Sequence, residues 1–188
     1  MHLRSWLEGL RTRMTRRSSS RRPRQAQPGH TPAELLEDRT LLSSVTAIVL
    51  EGDLQVIADG DEDLVIQEDP LNVGRVQLLV NGQADTRIPD TLTTSSLASI
   101  EIIGGEGDNL IDLSNISRAA FGTLTSIEVR AGEGDDQVIA TADFDDVIDG
   151  GHGSDTLTGG GGDNQLDGGH GDDVLNGGTG NDVIDGGD

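Results

Sequence analysis

The fold of this chain is decided by four nine-residue units in tandem. They read GGHGSDTLT (150–158), GGGGDNQLD (159–167), GGHGDDVLN (168–176) and GGTGNDVID (177–185), and Gly186-Gly-Asp188 begins a fifth unit. Glycines at the first, second and fourth places permit positive φ and close backbone approach. The eighth place is always Leu or Ile between mostly polar or β-branched neighbours, which is typical of a short strand with one inward side chain. Each unit is therefore predicted to be a turn followed by a short strand.

Two such units make one coil, and stacked coils give two parallel sheets that face each other. Residues two units apart then lie one above the other at the strand spacing of about 4.8 Å. A weaker repeat precedes the tandem, because the segment 97–111 recurs three units later as 124–138. Both repeats therefore share one unit, and repeats of this kind determine the architecture.

Composition excludes several classes of protein. Aromatic residues make up 2% of the 188 residues and cysteine is absent, so we expect neither a conventional enzyme core nor a disulfide framework nor a thiolate metal site. Charge is divided unevenly: the segment 1–24 holds eight arginines and one acid, whereas the segment 40–188 holds four arginines and 30 acids. An acidic body repels nucleic acid and anionic membranes and favours multivalent cations. No apolar run is long enough for a transmembrane segment.

The predicted stacking brings carboxylates of neighbouring coils close together, and their repulsion favours a bound cation. Asp155 and Asp173 are two units apart. Their carboxylates would therefore face each other across about 5 Å, a repulsion of about 3 kcal/mol at an effective dielectric of about 20. A hard divalent cation between the turns removes this repulsion. Carboxylates and turn carbonyls supply the six to eight oxygens that Ca²⁺ prefers, whereas Mg²⁺ requires tighter octahedral geometry.

The sequence predicts an all-β chain in three parts. Residues 1–44 are predicted to be a disordered Arg-rich arm with a short leader segment, without a recognisable N-terminal signal peptide. Residues 45–130 are predicted to be an irregular β region with degenerate repeats. Residues 131–188 are predicted to form a parallel β-roll, which is a β-helix or solenoid.

The nonapeptide closely resembles the GGxGxDxUx repeat of RTX, or haemolysin-type, calcium-binding proteins. The resemblance implies that each ion lies between turns of successive coils and is held by the sixth-place acid and by turn carbonyls. On one edge it pairs Asp155 with Asp173, and on the other it stacks Asp146, Asn164 and Asp182. The carbonyls implied as ligands belong to Gly150, Gly151, Gly153, Gly168, Gly169 and Gly171.

Two departures from the motif change the expected strength of these sites. Asn164 offers an uncharged amide oxygen, so we expect its edge to bind Ca²⁺ more weakly. The unit at 131–139 has Ala131 in place of the first glycine and is followed by one inserted residue, Ala140, which breaks the two-unit register. Asp136 is therefore a further candidate ligand.

A second resemblance covers only the short segment LEDRTLLS (36–43). This segment follows an Arg-rich arm and is similar to the LEPR-x-LL start of large bacterial surface proteins, with Asp38 in place of proline. It implies an exported protein and hence an extracellular or cell-surface location.

These observations predict a calcium-binding protein whose repeats fold when Ca²⁺ binds, with no enzymatic activity, because no hydrolase or metalloprotease motif is present. Two alternatives stay open: the N-terminal part of a larger secreted RTX enzyme or adhesin, and a structural solenoid that needs no metal. A surface or adhesive partner is not identified.

Two histidines share one place in the repeat. His152 and His170 occupy the third place of units that are one coil apart. They could hold a transition metal, but a solvent-facing position is favoured because Gly161 and Thr179 occupy the same place in the other units.

Overall fold

The computed structural model describes residues 45–188, which contain strands and turns but no helix. The predicted disordered arm at 1–44 lies outside the described residues. No helix within 45–188 is long and apolar enough to cross a membrane. The strands are β1 (Thr46–Leu50), β2 (Asp53–Ile57), β3 (Asp63–Glu68), β4 (Val76–Val80), β5 (Gln83–Ala84), β6 (Ser99–Glu106), β7 (Leu110–Asp112), β8 (Ser126–Glu133), β9 (Gln137–Ile139), β10 (Asp146–His152), β11 (Thr156–Thr158), β12 (Gln165–Asp167), β13 (Val174–Asn176) and β14 (Val183–Asp185).

The strands form two seven-stranded sheets, and from β6 onward the chain passes from one to the other at each step. The first sheet has the order β1-β2-β6-β8-β10-β12-β14, and the second has the order β13-β11-β9-β7-β3-β4-β5. Neighbouring strands are parallel, except for β1–β2, β3–β4 and β4–β5, which are antiparallel. The all-β prediction is confirmed, and the parallel sheets are consistent with a β-roll.

Register in the C-terminal half follows the nine-residue unit. Ile148 pairs with Leu166 and Leu166 with Ile184, each exactly two units further on, and Leu157 pairs with Leu175 in the other sheet. Because the eighth-place residue always points inward, these side chains stack into one column in each sheet. The spacing predicted from the repeat is the one that the strands adopt.

The region at 45–130, predicted to be irregular, contributes strands to the same two sheets. Ile100 of β6 pairs with Ile127 of β8, three units further on, whereas Leu54 of β2 pairs with Ile100 at a spacing that is no multiple of nine. The longer spacings arise because turns are replaced by extra segments. These include the β4–β5 hairpin and a loop that buries Leu113, Ile116 and Phe121. The position 130/131 falls inside β8, so the sheets are continuous across it.

Apolar burial decreases along the roll. Large aliphatic side chains such as Leu54, Leu64 and Ile127 are buried in the upstream coils. Leu166 is still buried, whereas Ile184 is 49% exposed. Each short unit adds one inward apolar side chain, which stabilises it by only about 1.5–3 kcal/mol on burial. The hydrophobic core therefore continues from the upstream coils as far as Leu166, but the glycine-rich coils add only one apolar side chain per unit to it.

Candidate metal centre

The turns that join the two sheets form two edges. On the first edge, which connects β6, β8, β10 and β12 to the strand that follows each, the sixth-place residues are Asn109, Asp136, Asp155 and Asp173. On the second edge, which connects β9, β11 and β13 to the strand that follows each, they are Asp146, Asn164 and Asp182. The structure thus brings together the residues that the sequence assigned to each edge.

Successive sixth-place residues on the first edge are joined by hydrogen bonds. The backbone N–H of Asp155 donates to Asp173 Oδ1 over 2.8 Å, and that of Asp136 donates to Asp155 Oδ1 over 2.8 Å. The backbone N–H of Asn109 donates to Asp136 Oδ1 over 2.7 Å. Asp136 therefore belongs to this stack. The inserted Ala140 lies in the next turn of the second edge, where it is buried, so the coil gains one residue without losing register.

The other carboxylate oxygen of these aspartates is buried without a partner. Four such oxygens accept no hydrogen bond from the described residues: Oδ2 of Asp136, Asp155 and Asp173 on the first edge, and Oδ1 of Asp146 on the second. A buried charged oxygen without compensation is costly, and in proteins such groups are paired or bind a metal ion. Four oxygens of this kind in equivalent turns fit the hard oxygen ligands that Ca²⁺ prefers.

Glycine at the first place keeps the space beside these oxygens clear. A Cβ at Gly150 would lie 2.4 Å from Asp155 Oδ2, and one at Gly168 would lie 2.5 Å from Asp173 Oδ2. Glycine at the fourth place has another role. Gly153 adopts a φ of 134°, a conformation that L side chains rarely adopt. The turn therefore needs glycine both for its backbone conformation and for access to the carboxylate.

The implied carbonyl ligands line the same turns, and some already accept hydrogen bonds. The carbonyl of Gly151 accepts from His170 N over 2.8 Å, and that of Gly169 accepts from Asp188 N over 2.8 Å. A carbonyl has a second lone pair, so these bonds leave capacity for a cation. The assignment of particular glycine carbonyls as ligands stays a prediction.

Burial also governs the electrostatics of the stacks. Loss of hydration raises the pKa of Asp136 to about 6 and the pKa of Asp146 to about 6. Burial raises the pKa of Asp155 as well, and the neighbouring charge of Asp173 adds to the effect. Without a cation, the turns therefore disfavour the ionised carboxylates that calcium would require.

The second edge differs because of Asn164. Its Oδ1 accepts from Asp146 N over 2.9 Å, and its Nδ2 donates to the carbonyl of Gly177 over 3.3 Å. A Cβ at Gly159 would lie 2.8 Å from Asn164 Nδ2. This amide nitrogen therefore takes the position that a carboxylate oxygen has beside Gly150. Asn164 therefore presents a donor to the slot where the first edge presents an acceptor, and the weaker binding expected for the second edge stays a prediction.

Sequence reasoning missed a second ladder of acids at the fifth place. Asp135 Oδ1 accepts from Ser154 N over 2.8 Å on the first edge, and Asp145 Oδ1 accepts from Asp163 N over 2.9 Å on the second. In this ladder the upstream coil supplies the acceptor, whereas in the sixth-place ladder the downstream coil supplies it. The junction between the coils of Asp135 and Ser154 is therefore closed by bonds in both directions. The signal was present in the aligned units, where the fifth place is Asp, Asn or Ser in every tandem copy.

Comparison with protein families agrees with this geometry. The segments 131–166, 141–175 and 167–188 match the RTX calcium-binding nonapeptide repeat, a family model of four copies. These matches lie within 131–188, less than a third of the chain, and calcium is the ion implied by this repeat family. Comparisons with curated proteins and with solved structures gave no significant match.

We expect Asn164→Asp to strengthen Ca²⁺ binding at the second edge. The substitution replaces a donor beside Gly159 by an acceptor and continues the charge of Asp146 and Asp182. Calorimetry should show a higher Ca²⁺ stoichiometry or tighter binding than in the original chain. Asn176→Asp adds the same charge at an exposed ninth place and is the matched control. Equal binding by the two variants would contradict the role assigned to Asn164.

The raised pKa values predict how the metal-stripped protein responds to pH. Asp136 and Asp146 each have a pKa of about 6 when folded. The pKa of an unfolded aspartate is about 3.9, so protonation favours the folded state. This contribution is fully present below about pH 4 and is lost as pH rises through about 6. Circular dichroism of metal-stripped protein should therefore show more β structure at mildly acidic than at mildly alkaline pH, because protonation of these aspartates favours folding of their coils. In Asp136→Asn/Asp146→Asn the difference should shrink, and an undiminished difference would assign it to other groups.

Proposed function

We propose that residues 131–188 are a calcium-dependent β-roll that folds on the upstream coils when Ca²⁺ is available. The observation that carries this proposal is the set of buried, unpartnered oxygens on Asp136, Asp155 and Asp173, which stack in one edge. One apolar side chain per unit does not offset the entropy of ordering glycine-rich turns. Ca²⁺ bound to these oxygens would neutralise the facing charges that otherwise oppose stacking.

The upstream coils supply a template in this proposal. Their core contains Phe121, Leu97 and Ile102, all buried, so the segment 45–130 has more apolar packing than the repeats. The strands β8 and β9 pair with β10 and β11 through parallel ladders. We therefore expect the segment 45–130 to stay folded without metal, and the calcium-dependent coils to assemble onto it from residue 131 toward the C-terminus.

A Ca²⁺ titration of the metal-stripped full-length chain tests the proposal. Circular dichroism should change from coil toward β structure, and hydrogen exchange should show new protection in 141–188 but little change in 45–130. In Asp155→Ala/Asp173→Ala the transition should move to at least about tenfold higher Ca²⁺, since two charged ligands are lost.

Asp149→Asn/Asp167→Asn is the matched control for that titration. It removes two charges from exposed positions of the first sheet and should leave the transition nearly unchanged. Protection of 141–188 in metal-free protein, indifferent to Ca²⁺ and to the chelator EGTA, would favour the alternative of a metal-independent solenoid.

The location that suits this device is outside the cell. Sites of this kind in extracellular modules bind Ca²⁺ with dissociation constants of about 10⁻⁴–10⁻³ M, so they would stay empty at low cytosolic Ca²⁺ and fill after export. The similarity of residues 36–43 to the start of bacterial surface proteins supports the same location. Fractionation of the native host should find the chain at the surface or in the medium, and retention in the cytoplasm would contradict this part of the proposal.

We assign no enzymatic role to the chain in this proposal. The acids of the turns are accounted for as cation ligands and as acceptors between coils, which leaves no carboxylate pair set apart for acid–base chemistry. A larger RTX enzyme or adhesin, of which this chain is the N-terminal part, is the second candidate. This candidate also contains the calcium-dependent roll, but the roll would be joined to a catalytic or adhesive part.

A further inference from the structure

Third-place residues on the first edge form a column of metal-ligating side chains. Glu106 is the register partner of Glu133, Glu133 is the partner of His152, and His152 forms a parallel bridge with His170. Asp188 continues the column, because its backbone N–H donates to Gly169 O as that of His170 donates to Gly151 O, each over 2.8 Å.

The two edges explain why the third place of the repeat holds histidine in some units and a small residue in others. Gly161 and Thr179 also occupy the third place, but they bridge each other on the second edge. Alternate units belong to alternate edges, so the small residues and the histidines are never neighbours in a column. Every third place on the first edge from residue 106 onward is Glu, His or Asp.

The two imidazoles lie side by side at the centre of this column. Their ring centroids are 4.6 Å apart with an interplanar angle of 22°, and His170 Nδ1 lies 3.8 Å from Asp188 Oδ2. Both rings are exposed, so an ion reaches them directly from solvent. No three metal-ligating side chains of the described residues already surround one point, so ligation requires the exposed side chains to rotate. Imidazole suits Zn²⁺, Cu²⁺ and Ni²⁺, whereas the carboxylates and carbonyls of the neighbouring turns suit Ca²⁺.

We propose that His152 and His170 form a surface site for a transition-metal ion such as Zn²⁺, with Asp188 Oδ2 beside His170 and Glu133 at the register position next to His152. The site is distinct from the calcium turns in its ligand type and in its place on the coil. It exists only when the coils that begin at 150 and 168 are stacked, because the two histidines lie a full coil apart in sequence. Folding of the roll would therefore create the transition-metal site.

The test is a Zn²⁺ titration of the full-length chain by calorimetry in saturating Ca²⁺, which keeps the oxygen sites filled. One Zn²⁺ should bind, and His152→Asn and His170→Asn should each weaken binding by at least about tenfold. The matched control is His2→Asn/His30→Asn, which removes the other two histidines of the chain and should bind as before. Electron paramagnetic resonance of bound Cu²⁺ should show nitrogen coupling that is lost in His152→Asn/His170→Asn.

Circular dichroism of each variant in Ca²⁺ separates failure of this site from failure of the roll. Folded His152→Asn or His170→Asn protein that binds Zn²⁺ like the original chain would overturn the proposal, as would a folded original chain that binds no Zn²⁺. If the chain proves to fold without Ca²⁺, the same titration in metal-stripped protein tests the histidine site alone, so the two proposals fail independently.

Discussion

Each sixth-place aspartate of the first edge uses one carboxylate oxygen for a hydrogen bond between coils and leaves the other without a partner among the described residues, and the glycine-rich coils depend on that division. One oxygen of Asp155 accepts the backbone N–H of Asp136, which ties neighbouring coils together. The other oxygen is buried beside Gly150 with no partner among the described residues. The first contact sets the register, and the second leaves a charge that only a cation can compensate at neutral pH. A carboxamide can make the first contact, as Asn164 does, but it leaves no charge for a cation.

This division explains why the two halves of the described chain differ in composition. The upstream coils bury Leu, Ile and Phe side chains and can accept insertions such as the β4–β5 hairpin, because their stability comes from apolar packing. The repeats have little to bury beyond Leu157 and Leu166, so their turns are kept short and uniform. A shared pair of sheets lets both kinds of coil stack in one register, with the apolar coils next to the first acidic ones.

Much of the roll could be predicted from the sequence because strict nine-residue spacing leaves few alternatives. The pairing of Asp155 with Asp173 follows from that spacing alone. Asp136 was harder to place, since the insertion at Ala140 shifts the count by one, and only the structure shows that a loop takes up the extra residue. The pairing of the upstream strands does not follow from the two-unit spacing, because Ile100 pairs with Ile127 three units away on one side and with Leu54 off the repeat on the other. The fifth-place ladder was missed because its hydrogen bonds join backbone to side chain across coils, which no local motif reveals.

The alternation of units between two edges has a consequence for how such a tract changes in length. Gain or loss of two units adds or removes one whole coil and leaves every downstream acid on its own edge. Gain or loss of a single unit transfers all downstream residues to the opposite edge. A unit gained between residues 167 and 168, for example, would place His170 above Gly161 and separate Asp173 from Asp155. Gain of an even number of units therefore preserves the columns of ligands, whereas gain of an odd number moves downstream ligands to the opposite edge.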